Sequence, residues 1–324
     1  MLKLLKIGSR DSQLALLQSE MVKNRLKEIY PDLVCEIIKI KTQGDKILDV
    51  ALSKIGDKGL FVKELETELL AGNVDIAVHS MKDMPTQLPE GLKISSILER
   101  EDVRDVVCLS ANHLNYTEYL ESNSLDLFSS VKLAASSSLR RVAQLKSLFP
   151  DINFTDIRGN LNTRFRKLDD KELNLDAIIL AAAGIKRLSR ADSSFSKRIS
   201  AYLDPKKVLP AVAQGALAIE FLESRNDLED LFKPLINQKQ ELILQIERNF
   251  LNELEGGCQV PVGIYSEIKE KETCFHASVS SVDGTQTVKT SLSLIDYDLT
   301  PQSGRYLAQE LIKAGAKQIL DNLR

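Results

Sequence analysis

The stretch VDIAVHSMKDMP, residues 74–85, decides how the first part of this sequence folds. Its first seven residues (74–80) are largely apolar, which predicts a buried strand. The strand has to end before Pro85, because proline cannot continue a ladder of backbone hydrogen bonds. A buried strand that runs into a polar loop is typical of an α/β sheet, where ligands bind beyond the carboxyl ends of the strands.

The same alternation extends over roughly the first two hundred residues and predicts largely parallel α/β sheets. Strand patterns of this kind occupy residues 5–9, 34–40, 105–110, 132–138, 154–159 and 176–182, with helical patterns between several of them. Residues 209–221 again show the strand-and-turn pattern of the first predicted strands. From residue 233 onward a helix (239–254), two alternating runs joined by an Asp283-Gly284 turn and a last amphipathic helix (303–322) predict a small α+β domain.

Bulk composition excludes several classes of protein. The chain has 324 residues, of which 43% are hydrophobic and 27% charged, as expected for a globular protein of more than one domain. A net charge of −3 argues against a general nucleic-acid binder, and no apolar run is long enough to span a membrane. The N-terminus lacks a secretory pattern, and the four cysteines are scattered without the paired spacing of a disulfide framework. We therefore expect a cytoplasmic protein.

Arginine is concentrated in one part of the chain. Seven of the sixteen arginines fall between Arg140 and Arg190, although the chain as a whole is acidic. This asymmetry indicates either a local anionic ligand or a solvated helix face.

Several of these arginines stand where a predicted strand passes into a helix. In ASSSLRRVAQLK (135–146) three serines open a helix and two adjacent arginines follow, so at least one guanidinium should point toward the end of the strand. Similar cationic turns are DIRGNLNTR (156–164), AAAGIKRL (181–188) and IGSRDSQ (7–13). Four such turns predict a polyanion larger than a single phosphate, and the absence of GxxxxGK[ST] and GxGxxG motifs argues against nucleotides.

The loop after residue 80 offers one carboxylate for chemistry. Asp83 suits proton transfer or the stabilisation of a cation, and the alternative is that Asp83 caps a turn while His79 is a core histidine. Because His79, His113 and His276 are widely separated, no histidine-rich metal site is expected and we predict no metal.

Cys258 lies in the constrained segment LEGGCQVPVG (254–263). Two glycines permit a close backbone approach and Pro261 stiffens the exit, which favours a displayed thiol over a small buried hydrophobe. Residues 54–65, KIGDKGLFVKEL, are typical of either a mobile basic lid or an ordinary loop.

Together these segments resemble the porphobilinogen deaminase family, also called hydroxymethylbilane synthases, over nearly the whole chain. The motifs that carry the resemblance are IGSRDSQLAL (7–16), KTQGDKILD (41–49), DIAVHSMKDMPT (75–86), EREDVRD (99–105), SSSLRR (136–141), RGNLNTR (158–164), AAAGIKRL (181–188), LPAVAQGALAIE (209–220) and LEGGCQVPVG (254–263). Residues 111–130 and the last sixty residues are the least diagnostic.

The resemblance implies an α/β fold with two lobes similar to type-2 periplasmic binding proteins, a cleft between them, and a small α+β C-terminal domain. Domain 1 would comprise residues 1–99 and 209–232, domain 2 residues 100–208, and domain 3 residues 233–324. It implies a monomeric transferase of haem biosynthesis that joins four porphobilinogen molecules head to tail, with loss of ammonia, and releases linear hydroxymethylbilane.

The resemblance also implies roles for individual residues. Cys258 would hold a dipyrromethane cofactor through a thioether, and Asp83 would be the catalytic carboxylate. The residues expected to bind cofactor or substrate are Arg10, Ser12, Lys82, Ser137, Ser138, Arg140, Arg141, Arg158, Arg164, Arg187 and Gln214. Lys54, Lys58 and Phe61 would belong to a loop near the active site.

Three positions depart from the pattern of some family members, namely Gln43, Asp57 and Asn162, and they are not expected to contact ligand. Two other functions fit part of the sequence. A cytoplasmic two-lobed protein that binds a small polycarboxylate would explain the arginines but not Cys258, and it would not need Asp83. A cysteine-nucleophile acyltransferase would require a base beside Cys258, and no histidine is close in sequence.

Overall fold

A computed structural model describes residues 2–46, 62–111, 126–254 and 260–322. Its strands, in chain order, are β1 (Leu4–Arg10), β2 (Val34–Ile40), β3 (Ile76–Ser80), β4 (Leu92–Ser95), β5 (Asp105–Leu109), β6 (Leu133–Ala135), β7 (Asn153–Thr155), β8 (Ala177–Ala181), β9 (Ala201–Tyr202), β10 (Leu217–Leu222), β11 (Val262–Ile268), β12 (Glu272–Ser280) and β13 (Thr287–Ile295).

The α-helices of the same ranges alternate with these strands in the first two thirds of the chain. They are α1 (Gln13–Ile29), α2 (Gln43–Lys46), α3 (Lys63–Leu70), α4 (Leu139–Leu148), α5 (Leu161–Leu168), α6 (Ala182–Ser189), α7 (Asn226–Phe232), α8 (Gln238–Glu253), α9 (Gln302–Leu311) and α10 (Lys317–Asp321). None of the helices within the described ranges is long and apolar enough to cross a membrane.

The chain divides into two compact units. The described residues of unit 1 lie within 2–46, 62–101 and 215–241, and those of unit 2 within 102–111, 126–214, 242–254 and 260–322. Unit 1 contains one five-stranded sheet, here called sheet 1, while unit 2 contains a five-stranded sheet 2 and a three-stranded sheet 3. The finer division into three domains remains a prediction.

Sheet 1 has the strand order β2-β1-β3-β10-β4. β1 is parallel to β2 and β3, whereas β10 is antiparallel to β3 and β4. Helix α1 begins at the Ser12 cap, whose hydroxyl accepts a hydrogen bond from the Ala15 N–H (3.3 Å). Its apolar side chains, such as Val22 and Leu26, are fully buried in the core of unit 1, which also contains residues of β1 and β3.

Sheet 2 has the order β7-β6-β8-β5-β9 and repeats this arrangement. β6 is parallel to β7 and β8, and β5 is antiparallel to β8 and β9. The expectation of largely parallel sheets is therefore wrong, since both large sheets are mixed. The reason is that β10 runs antiparallel to β3 and β5 runs antiparallel to β8. The residue pattern of a single strand does not show the direction in which it pairs.

Sheet 3 is the antiparallel meander β11-β12-β13. The predicted turn between β12 and β13 is confirmed, and Gly284 adopts a positive φ of 76° in it. The predicted last helix is interrupted, because Gly315 has φ 107° and separates α9 from α10. β11 was not predicted, because the sequence analysis assigned no strand between the cysteine segment (254–263) and the two alternating runs.

Gly215 lies immediately before β10, where the backbone passes very close to another segment. It has a positive φ of 91°, and a Cβ atom at this position would lie 2.3 Å from the backbone oxygen of Glu101. The Glu101 N–H also donates to the Gly215 carbonyl (3.1 Å). Only glycine satisfies both the conformation and the contact.

A Gly215→Ala substitution is therefore expected to lower the free energy of unfolding by roughly 2–5 kcal/mol, from the left-handed backbone and the forced displacement together. Gly91 is the matched control, because it has φ 85° but no atom within 4 Å of an added Cβ. Gly91→Ala should cost only about 1 kcal/mol. Urea unfolding followed by circular dichroism measures both, and equal losses would contradict the close approach at Gly215.

Candidate functional site

Three of the predicted cationic turns meet at one edge of sheet 2. β7, β6 and β8 are neighbours and run parallel, so their carboxyl ends lie side by side. Ser137 and Ser138 follow β6, Arg158 follows β7, and Arg187 lies in the helix after β8. The topology thus brings together residues that are about fifty positions apart in sequence.

The two serines that follow β6, Ser137 and Ser138, differ in their hydrogen bonds. The Ser137 hydroxyl donates to the Ile157 carbonyl and ties the end of β6 to the segment that follows β7. Ser138 occupies the cap position of α4, but its side chain makes no capping hydrogen bond. Its half-buried hydroxyl is thus not needed to begin the helix.

Arg140 and Arg141 both bind the carboxylate of Asp105. Arg140 Nη1 lies 2.7 Å from Asp105 Oδ2, and Arg141 Nε lies 2.9 Å from Asp105 Oδ1. All three side chains are at least nine-tenths buried. From the first turn of α4 both long side chains reach the start of β5, although the sequence required only one of them to point toward a strand end.

This ion cluster holds more positive than negative charge. Burial raises the pKa of the Asp105 carboxyl, but the charges of Arg140 and Arg141 and their hydrogen bonds outweigh burial and hold that pKa well below its ordinary value. The ionised carboxylate balances one guanidinium, and the other remains in excess. Burial in turn lowers the pKa of Arg140, with the charge of Asp105 opposing the change.

Gln214 completes the cluster from a distant part of the sequence. Its Nε2 donates to Asp105 Oδ1 (2.9 Å) and to the Val103 carbonyl (2.7 Å), and its Oε1 accepts from Arg141 (3.4 Å). The side chain is fully buried. Gln214 is therefore a structural partner of the predicted arginines.

A second cationic cluster begins three residues before Asp105. Asp102 receives a two-pronged pair of hydrogen bonds from Arg104 (2.9 and 2.7 Å) and a further one from Lys186 (2.7 Å). Burial raises the pKa of Asp102, but hydrogen bonds from Arg104 and Lys186 outweigh it and hold the pKa well below its usual range. The Arg104 guanidinium also lies 4.1 Å from the centre of the Tyr202 ring.

Sequence reasoning from residue types missed Asp102, Arg104 and Asp105. The signal was the presence of Asp102 and Asp105 in EREDVRD (99–105), at the start of a buried strand. Charged residues at the start of an apolar strand need partners, and the arginines clustered between residues 140 and 190 were candidates.

Arg158 differs from the other buried arginines of this edge. It is 8% exposed, and its Nε and Nη2 atoms are buried without a hydrogen bond to any residue of the described ranges. The one ion pair recorded for it is long, 3.6 Å from Nε to the exposed Asp156. A buried cation with unused donors is suited to an anionic ligand.

The remaining arginines of unit 2 stay near the same strand ends. Arg164 in α5 is half-buried and donates from Nε to the Gly159 carbonyl (2.9 Å). Arg187 in α6 is 3% exposed. Both follow the carboxyl ends of strands in sheet 2, as the sequence predicts.

Unit 1 presents a separate group at the edge of sheet 1. Arg10 is the last residue of β1, while Lys82 and Asp83 lie in the short 3-10 turn (Met81–Asp83) after the parallel strand β3. Asp83 is exposed and makes no hydrogen bond or ion pair with the residues that the structure describes. Ser12 lies two residues after the end of β1 and caps α1.

His79 is a core residue, as one of the two sequence alternatives expected. It is 5% exposed, and its Nε2 lies 3.0 Å from Oε2 of the fully buried Glu220 on β10. Glu66 on α3 is also buried, and its pKa is raised by burial and by the charge of Glu220. The His79–Glu220 pair joins β3 to β10 just before the loop that carries Asp83.

Some predicted residues lie outside the described ranges, namely Cys258, Lys54, Lys58 and Phe61, and so does Asp57. Of the two other departures from the family pattern, Gln43 donates its backbone N–H to Glu64 (2.8 Å), and Asn162 is an exposed residue of α5.

Fold and site define an α/β protein whose strand ends suit an anionic organic ligand. Comparison with known proteins identifies the family. The model "Porphobilinogen deaminase, dipyromethane cofactor binding domain" matches residues 5–230, and "Porphobilinogen deaminase, C-terminal domain" matches residues 242–313. The chain belongs to the porphobilinogen deaminase family, which confirms the resemblance, and it is a transferase.

Curated relatives match over their full length. Porphobilinogen deaminase of Syntrophomonas wolfei is 47% identical, with 99% of this chain and 99% of that one aligned. The enzyme of Desulfitobacterium hafniense is 43% identical, with 98% and 97% aligned. Among solved structures, the cofactor-binding domain of the Cbl transcriptional regulator aligns with 73% of this chain and 89% of its own at 13% identity and a TM-score of 0.44, too low to support any inference.

The residues at the edge of sheet 2 fit a dipyrromethane cofactor. Each of its pyrrole rings carries an acetate and a propionate, so the group is a polyanion. Among the described residues, the buried Nε and Nη2 donors of Arg158 make no hydrogen bond, and the Asp105 cluster retains one excess positive charge. Carboxylates are the ligands that these donors accept in pairs.

Asp105 should be essential to the fold of unit 2. An Asp105→Asn substitution leaves two buried guanidinium groups without a counter-charge, and the free energy of unfolding is expected to fall by roughly 3–5 kcal/mol. Asp169→Asn is the matched control, because Asp169 forms a two-pronged pair with the part-exposed Arg198 and should cost less than about 1 kcal/mol. Denaturant unfolding at neutral pH compares them.

The pH profile gives an independent readout of the same interaction. Because the folded-state pKa of Asp105 is lowered, its contribution to stability is present above the unfolded-state pKa of about 3.9 and is lost as the pH falls toward the folded value. Wild-type stability should thus decline below about pH 4 more steeply than that of Asp105→Asn. Parallel profiles would show that Asp105 is not the ionised partner.

Proposed function

We propose that this chain is a hydroxymethylbilane synthase, which joins four porphobilinogen molecules head to tail and releases linear hydroxymethylbilane in haem biosynthesis. The observation that carries the proposal is the surplus of buried guanidinium groups at the carboxyl edge of sheet 2, above all Arg158. A growing chain of pyrroles adds two carboxylates with every ring, so it needs several separate cations.

The charged side chains divide into supports and ligand-binding groups. Arg140 and Arg141 each bind Asp105, and the pair has one positive charge in excess for a ligand carboxylate. Arg158 has two donors that make no hydrogen bond within the described part of the chain, and Arg10, Arg164 and Arg187 lie at or just after strand ends of the same kind. Ser12, Lys82, Ser137, Ser138 and Gln214 would supply neutral or cationic contacts and hold the arginines in place.

Asp83 is the catalytic residue of the proposal. Its carboxylate is exposed and unpartnered among the described residues, in contrast to Asp105, whose charge is consumed by two arginines. Loss of ammonia from porphobilinogen leaves a cationic methylene-pyrrolenine, and a nearby carboxylate stabilises that charge. The same carboxylate then accepts and passes on the proton lost from the α-carbon when the new bond forms.

Cys258 would hold the cofactor. It lies outside the described residues, and the support for this role is the GGCQVP motif together with the family of the chain. When bound, the dipyrromethane supplies a pyrrole α-carbon to which the first substrate is joined. Lys54, Lys58 and Phe61 would belong to a loop near the active site.

The other cysteines support a reducing, cytoplasmic location. Cys35, Cys108 and Cys274 are free and buried. Burial raises the pKa of Cys35 and raises that of Cys108 to about 12, which keeps both thiols unreactive.

We expect the protein to be a monomer, and light scattering of the purified protein tests this. We also expect three domains, with boundaries at residues 99, 208 and 232.

The intact mass of the purified chain tests the proposed attachment. Wild-type protein should exceed its sequence mass by two linked pyrrole units, and Cys258→Ala should show the sequence mass alone. Cys35→Ser, which changes a thiol buried in unit 1, should keep the excess. If wild-type protein lacks the excess and does not acquire it with added porphobilinogen, the polycarboxylate-binding alternative is favoured.

Asp83→Asn tests the catalytic role. The turnover number should fall by about 10²-fold or more, because both charge stabilisation and proton transfer are lost. Glu90→Gln, which changes another exposed carboxylate of unit 1, should leave turnover unchanged. The binding-protein alternative predicts that Asp83→Asn retains ligand affinity and that wild-type protein has no turnover to lose.

Arg158→Met separates binding from stability. Because the Nε and Nη2 donors of Arg158 are unused in the described structure, the substitution should leave the thermal midpoint unchanged or raise it. The specificity constant kcat/KM should nevertheless fall by about 10-fold or more, the value of a charged hydrogen bond. Arg198→Met, which removes a surface ion pair, is the control and should retain activity, whereas full activity of Arg158→Met would remove Arg158 from the site.

A further inference from the structure

The outer face of sheet 3 carries three different metal-binding side chains at one place. Cys274 and His276 are alternate residues of β12, so both point to the same face of the sheet. Glu267 on β11 is directly opposite Cys274 in the strand register. The ligand atoms of Glu267, Cys274 and His276 all lie within 4.8 Å of one another.

From this arrangement we propose that Glu267, Cys274 and His276 bind a divalent zinc ion. A thiolate, an imidazole and a carboxylate form a donor set that zinc accepts, whereas Mg²⁺ and Ca²⁺ avoid sulfur. None of these three residues belongs to the strand-end groups described above, and no step of the transferase reaction requires them.

The histidine is already held in the orientation of a metal ligand. His276 Nδ1 is 3.0 Å from the Ser291 hydroxyl, on the neighbouring strand β13, and its ring stacks against Tyr265 with the centres 6.1 Å apart. The Nε2 atom faces Glu267 Oε2 at 3.7 Å and, within the described structure, is buried without a hydrogen bond. An outer hydrogen bond to the second ring nitrogen is the usual support of a metal-bound histidine.

The carboxylate is oriented in the same manner. Lys206 Nζ holds Glu267 Oε1 at 2.7 Å, which leaves Oε2 directed toward His276. Cys274 is 8% exposed, so its sulfur forms the inner wall of the site.

Only small movements would complete the coordination. Zinc bonds are about 2.3 Å to sulfur and about 2.0–2.2 Å to nitrogen or oxygen, so donor atoms around one ion lie roughly 3.3–3.7 Å apart. The Glu267–His276 separation of 3.7 Å is close to this, and the part-exposed Glu267 side chain can rotate. A water molecule would supply the fourth ligand of a tetrahedral site.

The sequence alone did not indicate this site, because a C-x-H pair in one strand is common and the third ligand comes from β11. A bound ion would join β11 to β12 by contacts beyond their backbone ladder. β11 begins four residues after Cys258, so the ion would stabilise the strand that follows the proposed cofactor attachment.

Titration of cofactor-loaded, chelator-treated protein with Zn²⁺ against a chromophoric competitor tests the proposal. One equivalent should bind to wild-type protein, and Cys274→Ser, His276→Gln and Glu267→Gln should each weaken binding by about 10-fold or more. The matched controls are Cys35→Ser, a thiol with the same 8% exposure, and Glu310→Gln, a carboxylate paired with Lys313. Both should bind zinc like wild type.

Cobalt provides a readout that loss of folding cannot mimic. Co²⁺ added to wild-type protein should give a near-ultraviolet thiolate-to-metal band that is absent from Cys274→Ser and present in Cys35→Ser. His276→Gln and Glu267→Gln change part-exposed side chains, so they remain informative if Cys274→Ser unfolds. Absence of zinc binding by wild-type protein, or unchanged affinity in all three variants, would overturn the proposal.

Discussion

The burial of Asp105 between Arg140 and Arg141 is the interaction on which unit 2 depends. The carboxylate stands at the first residue of β5, the arginines in the first turn of α4, and Gln214 comes from a segment more than a hundred residues away. An unpaired charge at this depth would be strongly unfavourable, so the three segments must come together if any one of them is to be buried. The cluster therefore specifies the packing of these segments as well as their charge.

Charges that serve the fold can be distinguished from charges that remain for a ligand. Asp105 and Asp102 are saturated by arginine and lysine, and their lowered pKa values reflect this. Arg158 and Asp83 have no such partners within the described ranges, although one is buried and the other is exposed. Within unit 2, fixed charge pairs at the sheet edge that also holds Arg158 favour electrostatic preorganisation, since little would have to move when an anion binds there.

Much of the fold was predictable because local patterns determine it. β2 was placed at its observed limits, and α8 within one residue, from the apolar spacing of their side chains. The direction of β5 and β10 was not predictable, because pairing depends on contacts between distant segments. At the site, the arginines of the strand-end turns were found from their position after strands. Their shared partner Asp105 and the metal-binding set of sheet 3 were missed, because each is assembled across strands whose register no local pattern gives.

The position of β10 has a consequence for synthesis of the chain. β10 lies between β3 and β4 in sheet 1, yet it is encoded after the whole of sheet 2. While the chain emerges from the ribosome, sheet 2 has all its strands once residue 202 is available, whereas β4 has no neighbour in sheet 1 until residue 222 has followed. The N-terminal segment must therefore wait with an open edge at β3 while a later part of the chain is completed, and nascent molecules are exposed to misassociation at that edge.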